Sequence, residues 1–279
     1  MSARTTTGSA GAAETVRRHH VTTTGRTGGP VLLFAHGFGC DQEMWRRLLP
    51  WFTDDHEVVL YDHVGSGRSD LTAYDPARYS SLDGYSEDLL ALCEDLDLAD
   101  VTVVAHSISA MMAVTAAVKD PTRFSRLVLV APSPCYVDDP AAGYVGGFSV
   151  EDIDELLASM DSNYFAWAAA MAPVVMGAPD APELDAQLEG SFCRTDPDVA
   201  RDFARVTFRS DCRPLLHRVA VPTLLLQCAQ DALAPLEVGD HLHRAIPGST
   251  LVRLQATGHC PHVSAPEETA AAIRKYLSA

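Results

Sequence analysis

The sequence predicts an α/β protein with a doubly wound, mostly parallel sheet, and two observations support this. Short apolar runs recur along the 279 residues without strict alternation of apolar and polar positions, which is typical of strands buried on both faces. Helical patterns lie between most of these runs, and such alternation predicts helices on both faces of the sheet. The predicted strands are Val31–Ala35, Val58–Tyr61, Val101–Val104, Leu127–Val130, Thr223–Leu226 and Leu251–Leu254.

Apolar residues three or four positions apart predict helices at Met44–Phe52, Tyr85–Leu96 and Ile108–Val118. The polar stretch Val16–Thr24 is predicted to add an edge strand. Residues 1–14 are predicted to be a disordered tail. They include an Arg but no apolar stretch of the kind that forms a secretory signal.

The alternation of strands and helices breaks after Ala131. Residues 133–213 show helical patterns and no convincing strand, and Ser149 with Asp152 has the spacing of a helix capping box. This block is rich in aromatic and Met side chains, which predicts a lid over an apolar pocket; simple packing onto the sheet is the alternative. The predicted organisation is a core of residues 15–132 and 214–279, with a helical lid of residues 133–213.

Composition excludes some functions. The net charge is −16, from 37 acidic and 21 basic residues, which argues against nucleic acids and anionic membranes as partners. No apolar run approaches the roughly 18 residues that a membrane-spanning helix needs. The chain has seven cysteines and no C-x-x-C motif, so reduced thiols and a cytoplasmic location are expected. Cys40, Cys228 and Cys260 are near catalytic candidates in sequence, and a packing role is favoured over a redox role.

The stretch V-T-V-V-A-H-S-I-S-A-M-M-A-V around Ser107 indicates a nucleophile. A β-branched strand meets a serine among small residues, and a helix follows at once, as in a nucleophile elbow. The stretch departs from G-x-S-x-G because Ala105 and Ser109 replace both glycines. Both side chains are small enough for close strand–helix packing. If they only tighten the turn, glycine at both positions is expected to leave activity unchanged or higher.

An acid and a base follow Ser107 in the chain order expected for this kind of site. Asp231 comes just after the strand that begins at Thr223, and His259 comes just after the strand Leu251–Leu254. Because catalytic groups gather at the carboxyl ends of parallel strands, Ser107, Asp231 and His259 are predicted to form a triad. His262 is the alternative base, and its expected role is that of a structural hydrogen-bonding group beneath the site.

Two loops complete the predicted site. H-G-F-G follows the first apolar strand, and its glycines are expected to let the backbone N–H of Phe38 face an oxyanion on the Ser107 adduct. The N–H of Ile108, at the start of the next helix, is the predicted second donor. The stretch D-H-V-G-S-G-R-S lacks the G-K-[ST] of a phosphate loop, so a tight turn that supports the site is predicted for it.

Further motifs are shared with one known family: H-G-F-G-C-D-Q-E-M-W, D-H-V-G-S-G-R-S-D-L, S-P-C-Y-V-D-D-P, F-C-R-T-D-P and G-H-C-P-H-V-S. On these motifs, over about residues 16–279, the chain resembles the RsbQ-type α/β-hydrolases. These are bacterial positive regulators of the general stress response and are similar to the plant karrikin and strigolactone receptors. The resemblance implies an α/β-hydrolase fold, a four-helix lid over an apolar cavity, and the same triad and oxyanion donors. It also implies a partner, a serine phosphatase with a PAS-type sensor domain.

Two functions are expected from this. The first is a serine hydrolase acting on a small, largely apolar ester or lactone without a metal or cofactor. The alternative is a low-turnover signalling protein that senses a small hydrophobic ligand and activates a PAS-domain phosphatase. The predicted pocket residues are Phe38, His106, Phe148, Trp167 and Phe208.

Overall fold

The computed structural model describes residues 10–279 of the chain. Among the described residues, seven strands form a single sheet. Its strands are β1 (Thr22–Gly25), β2 (Val31–Ala35), β3 (Glu57–Tyr61), β4 (Val101–His106), β5 (Phe124–Val130), β6 (Thr223–Gln230) and β7 (Thr250–Thr257). They lie in the order β1-β3-β2-β4-β5-β6-β7, and β1 alone among them pairs antiparallel. The predicted α/β class is therefore confirmed.

Ten α-helices occur in the described part of the chain. They are α1 (Ala10–Arg18), α2 (Leu82–Asp95), α3 (Ile108–Lys119), α4 (Val150–Ser162), α5 (Tyr164–Met176), α6 (Pro182–Arg194), α7 (Pro197–Arg209), α8 (Leu236–Ala245), α9 (Pro261–Ser264) and α10 (Pro266–Leu277). None of these helices has both the length and the apolar character needed to cross a bilayer.

The sheet is covered on both faces, and the alternation along β2 shows how. Leu33 and Ala35 pack into an apolar cluster with α2, α3 and α8, whereas Leu32 and Phe34 pack into a second cluster with α10. Both sets are almost completely buried. A strand buried on both faces has no polar positions to alternate with apolar ones, which explains the continuous apolar runs in the sequence.

Two predictions near the amino terminus are wrong in part. Ala10–Arg18 is helical, so residues 10–14 are not a disordered tail and Val16–Arg18 is not a strand. The Thr15 hydroxyl donates to Asp95 of α2, which fixes this Ala-rich helix to the core. The edge strand exists, but it is confined to Thr22–Gly25, paired with β3. Residues 1–9 of the predicted tail lie outside the described residues.

The helix predicted over Met44–Phe52 is also wrong. Two short 3₁₀ turns, Gln42–Trp45 and Leu49–Trp51, occupy this region. Pro50 has no N–H to continue an α-helix, so the chain turns tightly instead. The apolar side chains of Trp45 and Phe52 are nevertheless buried against the sheet, as the spacing suggested.

Helices α4–α7 form a helical insertion between β5 and β6. The predicted capping box opens α4: the Ser149 hydroxyl accepts from the Asp152 N–H at 3.0 Å, and the Asp152 carboxylate accepts from the Ser149 N–H at 2.8 Å. Side chains of all four helices share one apolar cluster with Phe38 and Cys260 of the core loops. The insertion therefore packs over the carboxyl ends of the strands.

Candidate active site

Ser107 stands between β4 and α3 in a strained backbone conformation. Its φ of 56° and ψ of −125° lie in a region that residues other than glycine rarely adopt. Such a conformation costs on the order of 1–3 kcal/mol and persists only where the surroundings enforce it. Here the Ser107 N–H donates to the Val130 carbonyl at 2.9 Å. Strand β5 thus holds the sharp turn that the flanking sequence predicted.

The structure brings Ser107, Asp231 and His259 into one hydrogen-bonded chain. His259 Nε2 lies 2.7 Å from Ser107 Oγ, and His259 Nδ1 lies 2.8 Å from Asp231 Oδ2. The other carboxylate oxygen of Asp231 accepts from the N–H groups of Leu233 and Ala234. A carboxylate bound to Nδ1–H leaves Nε2 free to take the serine proton. All three side chains are buried.

The histidine loop is held from three sides. The Gly258 N–H donates to the Gln230 carbonyl, and the His259 N–H donates to the Val175 carbonyl of α5, both at 2.8 Å. Nε2 of His106 lies 2.8 Å from the His259 carbonyl and donates to it. The helical insertion therefore contributes directly to the position of the imidazole.

His262 and His106 lie behind the histidine loop as buried, neutral rings. The His262 ring packs 4.4 Å from Trp45 and 4.5 Å from His106, between centroids. Burial lowers the pKa of His262 to about 3 and lowers that of His106 well below its usual value. Neither ring nitrogen of His262 has a hydrogen-bond partner among the described residues. The prediction of a hydrogen-bonding role for His262 is therefore wrong, since the ring acts by packing.

The H-G-F-G loop approaches the elbow closely. A Cβ on Gly37 would lie 2.6 Å from His106 Nδ1, and a Cβ on Gly39 (φ +67°) would lie 2.1 Å from the Phe192 ring. Glycine is needed at both positions because any side chain would push the loop away. The N–H groups of Phe38 and Ile108 donate to no acceptor among the described residues. Both therefore remain available for the predicted oxyanion.

Ser109 has partners that its sequence position does not indicate. Its hydroxyl donates to the His36 carbonyl and lies 2.8 Å from His63 Nε2, which is also 3.0 Å from that carbonyl. The backbone N–H of His63 in turn donates to His36 Nε2 at 3.1 Å. Burial lowers the pKa of His63 well below its usual value, so this ring is neutral. Together, Ser109 and His63 fix the peptide at which the H-G-F-G loop begins.

A narrow, apolar cavity lies between the triad and the helical insertion. The volume open to the centre of a water-sized molecule is about 30 Å³. No Asp, Glu, Lys or Arg contributes to its lining. The lining residues are Phe38, Cys40, His106, Ser107, Tyr136, Leu156, Trp167, Met171, Val175, Leu188, Phe192, Thr207, Phe208, Leu233, His259 and Cys260.

Four of the five predicted pocket residues line this cavity, and Phe148 does not. Phe148 is half-buried behind Tyr136, with ring centroids 6.5 Å apart, so its place at the cavity is taken by Tyr136. The Tyr136 hydroxyl lies 3.4 Å from Ser107 Oγ, and burial raises its pKa to about 12. The motif S-P-C-Y-V-D-D-P contains this tyrosine, but no local pattern indicates that its side chain reaches the serine.

Comparison with known proteins gives the family. Residues 32–272 match the Alpha/beta hydrolase family, a span that includes Ser107, Asp231 and His259.

The chain belongs to the alpha/beta hydrolase family.

Curated relatives of this alpha/beta hydrolase include a Karrikin insensitive 2 receptor from Petunia hybrida, 37% identical over 90% of this chain and 92% of the relative. Strigolactone esterase D14 from Arabidopsis thaliana is 37% identical over 90% of this chain and 93% of that protein. Among solved structures, a hydrolase from Oleispira antarctica is 42% identical with a TM-score of 0.93, covering 96% of this chain and 97% of the other.

In this alpha/beta hydrolase, Cys40 and Cys260 line the cavity as neutral thiols, since burial raises the pKa of each well above its usual value. Cys228 is also buried, and its pKa is raised for the same reason. A thiol is nucleophilic as the thiolate, so these groups are expected to pack and not to react. The structure also brings together no group of three or more His, Cys, Asp or Glu side chains suited to a metal ion within residues 10–279.

Proposed function

We propose that this chain is a serine hydrolase that cleaves a small, largely apolar ester or lactone, with residues 133–213 acting as its lid. One observation carries the proposal: the chain of hydrogen bonds from Asp231 through His259 to Ser107 ends at the floor of an apolar cavity. Three curated relatives that are 37% identical to this chain are named as esterases, which supports an ester as the substrate.

In the proposed mechanism, Ser107 Oγ attacks the carbonyl carbon while its proton passes to His259 Nε2. Asp231 holds the imidazole in the required tautomer and stabilises the imidazolium that forms. The N–H groups of Phe38 and Ile108 stabilise the oxyanion, each by about 3 kcal/mol. His259 then protonates the departing alkoxide, and a water molecule, deprotonated by His259, hydrolyses the acyl-enzyme.

The cavity restricts the substrate by size and by charge. Its narrowness favours a flat or slender acyl group, and a larger substrate would require the helices of the lid to move apart. Its lining offers no charged side chain, so an ionised acyl group would lose hydration without gaining a partner. Short, neutral acyl groups are therefore the proposed substrates.

The test is hydrolysis of 4-nitrophenyl esters with acyl chains of two to eight carbons. The purified protein is expected to prefer the short chains, and Ser107→Ala and Asp231→Asn are each expected to lower kcat by a factor of about 10⁴. Intact-protein mass spectrometry should detect the acyl group on the wild-type chain and not on Ser107→Ala. Equal turnover by wild type and Ser107→Ala would contradict the proposal.

We also propose a signalling role like that of RsbQ-type proteins as a second candidate. Its support is the set of motifs shared with that family, together with relatives named as receptors. In this role the same site makes or senses a small hydrophobic ligand in the cytoplasm, and the outcome is passed to a PAS-domain serine phosphatase. Seven cysteines without a disulfide in the structure are consistent with a reducing compartment.

The test of the second candidate is the activity of a purified PAS-domain serine phosphatase from the same organism. Wild-type protein is expected to raise that activity, and Ser107→Ala is expected to leave it unchanged although the variant is folded. If neither protein raises the phosphatase activity although the wild-type protein hydrolyses an ester in the same assay, the signalling role is contradicted and the hydrolase proposal is unaffected.

A further inference from the structure

Among the buried polar groups of the lid that lack hydrogen-bond partners, two belong to residues that line the cavity. The indole Nε1 of Trp167, in α5, and the hydroxyl of Thr207, in α7, are buried without a partner among the described residues. Both residues line the cavity above Ser107. A buried polar group without a partner costs on the order of 1–3 kcal/mol, so the presence of both at one cavity, where His106 Nδ1 is also unpaired, requires an explanation.

Thr207 is unusual for a threonine inside a helix. Buried helical threonines commonly donate to the carbonyl four residues earlier, as Thr115 of α3 does to Met111 at 2.8 Å. Thr207 makes no such bond, although its side chain is 1% exposed. Its hydroxyl therefore has no partner among the described residues, at a position that lines the cavity.

The chemistry of the two side chains defines what that group is. An indole N–H is only a donor, and a threonine hydroxyl can donate, so together they suit a hydrogen-bond acceptor. The cavity lining holds no cationic side chain, which disfavours a carboxylate or phosphate. A neutral oxygen, such as that of a ketone, an ether or a second ester, fits both conditions.

The two groups lie close to the proposed reaction centre. Ser107, Trp167 and Thr207 line one cavity of about 30 Å³, and the Trp167 ring is 6.1 Å from the ring of Phe38, whose residue supplies a proposed oxyanion donor. A substrate whose carbonyl is at Ser107 therefore reaches the lid within a few bonds.

We propose that Trp167 and Thr207 form a polar subsite in the lid that binds a second, neutral oxygen of the substrate. This inference rests on the proposed hydrolase function and narrows its substrate class. The substrate becomes a small ester or lactone with a ketone, ether or ester oxygen a few bonds from the scissile carbonyl. A hydrocarbon of the same shape leaves both donors unsatisfied and is bound less well.

The experiment compares 4-nitrophenyl esters in matched pairs. In each pair an ω-methoxy acyl chain is set against the straight alkyl chain of equal length, with one, two or three methylenes between the carbonyl and the oxygen. The quantity measured is the kcat/KM of the methoxy ester divided by that of the alkyl ester. Comparing this ratio between variants cancels the different intrinsic reactivity of the two esters.

Thr207→Val is expected to lower this ratio about tenfold for at least one chain length, which is the contribution of one hydrogen bond in a buried site. Trp167→Phe is expected to lower it as well, whereas Thr207→Ser retains the hydroxyl and should retain the ratio. Thr115→Val is the matched control, since it removes a buried helical hydroxyl that does not reach the cavity. Thr207→Val should also melt at the same or a higher temperature, because it removes an unpaired buried hydroxyl.

An unchanged ratio in Thr207→Val at all three chain lengths overturns the subsite. If the wild-type protein hydrolyses none of the esters, the hydrolase proposal fails separately, and binding then decides the subsite. In that case Ser107→Ala is titrated with the intact esters by calorimetry, alone and combined with Thr207→Val. Tighter binding of a methoxy ester that disappears in the double variant supports the subsite, and equal affinities refute it.

Discussion

Replacing Ser109 by alanine removes one hydroxyl group from beneath the H-G-F-G loop. In the wild-type protein that hydroxyl donates to the His36 carbonyl, and His63 Nε2 lies 3.0 Å from the same carbonyl. After the substitution the carbonyl retains one donor, and His63 loses its contact with the serine. Alanine adds no atoms, and its slightly higher helix propensity applies equally to a serine-to-alanine control in another helix.

The expected effect has two parts. Loss of a buried hydrogen bond lowers the free energy of unfolding by about 1–2 kcal/mol. The loop also loses a fixed point two residues before Phe38, whose N–H is proposed to contribute about 3 kcal/mol to the transition state. If the loop shifts enough to forfeit half of that contribution, kcat falls about tenfold. KM should change little, because the oxyanion exists in the transition state and not in bound substrate.

The assay is steady-state hydrolysis of a 4-nitrophenyl ester, with thermal unfolding measured on the same samples. Ser86→Ala is the matched control: the Ser86 hydroxyl is fully buried in α2 and donates to the Leu82 carbonyl at 2.8 Å, away from the site. Both variants should lose similar stability, and Ser109→Ala alone should lose kcat.

A kcat for Ser109→Ala equal to that of Ser86→Ala would contradict a role of the Ser109 hydroxyl in positioning the loop. Ser109 would then only fill space at the turn, as its sequence position suggests. Glycine at positions 105 and 109 would in that case leave activity unchanged or higher, whereas a positioning role for the Ser109 hydroxyl predicts that this double variant is also slower.

Two further predictions concern the surroundings of the triad. In Gly258→Ala the new Cβ would lie 1.8 Å from the Met176 carbonyl oxygen at a φ of +80°, so this variant should lose more than 2 kcal/mol of stability together with activity. The control Gly28→Ala has a similar φ of +73° but nothing within 4 Å of its Cβ, so it should lose only about 1 kcal/mol. Equal losses of stability in urea unfolding would contradict this expectation. Burial lowers the pKa of His262 to about 3, so below about pH 6.5 this side chain takes up a proton when the protein unfolds. The free energy of unfolding therefore falls as the pH is lowered from about 6.5 towards 3. His262→Phe should therefore reduce the slope of unfolding free energy against pH by about 1.4 kcal/mol per pH unit between pH 6 and 4. An unchanged slope in this variant would show that the buried ring is not neutral.

The features that sequence predicts well are those set by short-range pattern. Buried parallel strands leave continuous apolar runs, and a nucleophile elbow needs small residues beside the serine, so the sheet and the position of Ser107 follow from local sequence. Asp231 and His259 could be predicted because the carboxyl ends of parallel strands meet at one edge of the sheet.

The features that sequence does not predict depend on contacts between distant segments. The Ser109 hydroxyl meets His36 and His63, which are more than 40 residues away, and no spacing rule connects them. Phe148 has the composition of a pocket residue, but Tyr136 lies between it and the cavity. Helix α1 is not predicted by the sequence, because Ala10–Glu14 has no large apolar side chain to mark a buried face and its contact with α2 is a tertiary one.

In the proposed hydrolase, Ser107 is an activated nucleophile. The most direct test of this role is labelling by a fluorophosphonate, with the modified residue identified by peptide mass spectrometry. We expect the wild-type protein to be labelled on Ser107, His259→Ala to be labelled at a greatly reduced rate, and Ser107→Ala not to be labelled. Labelling of Ser107→Ala at the wild-type rate would show that Ser107 is not the nucleophile.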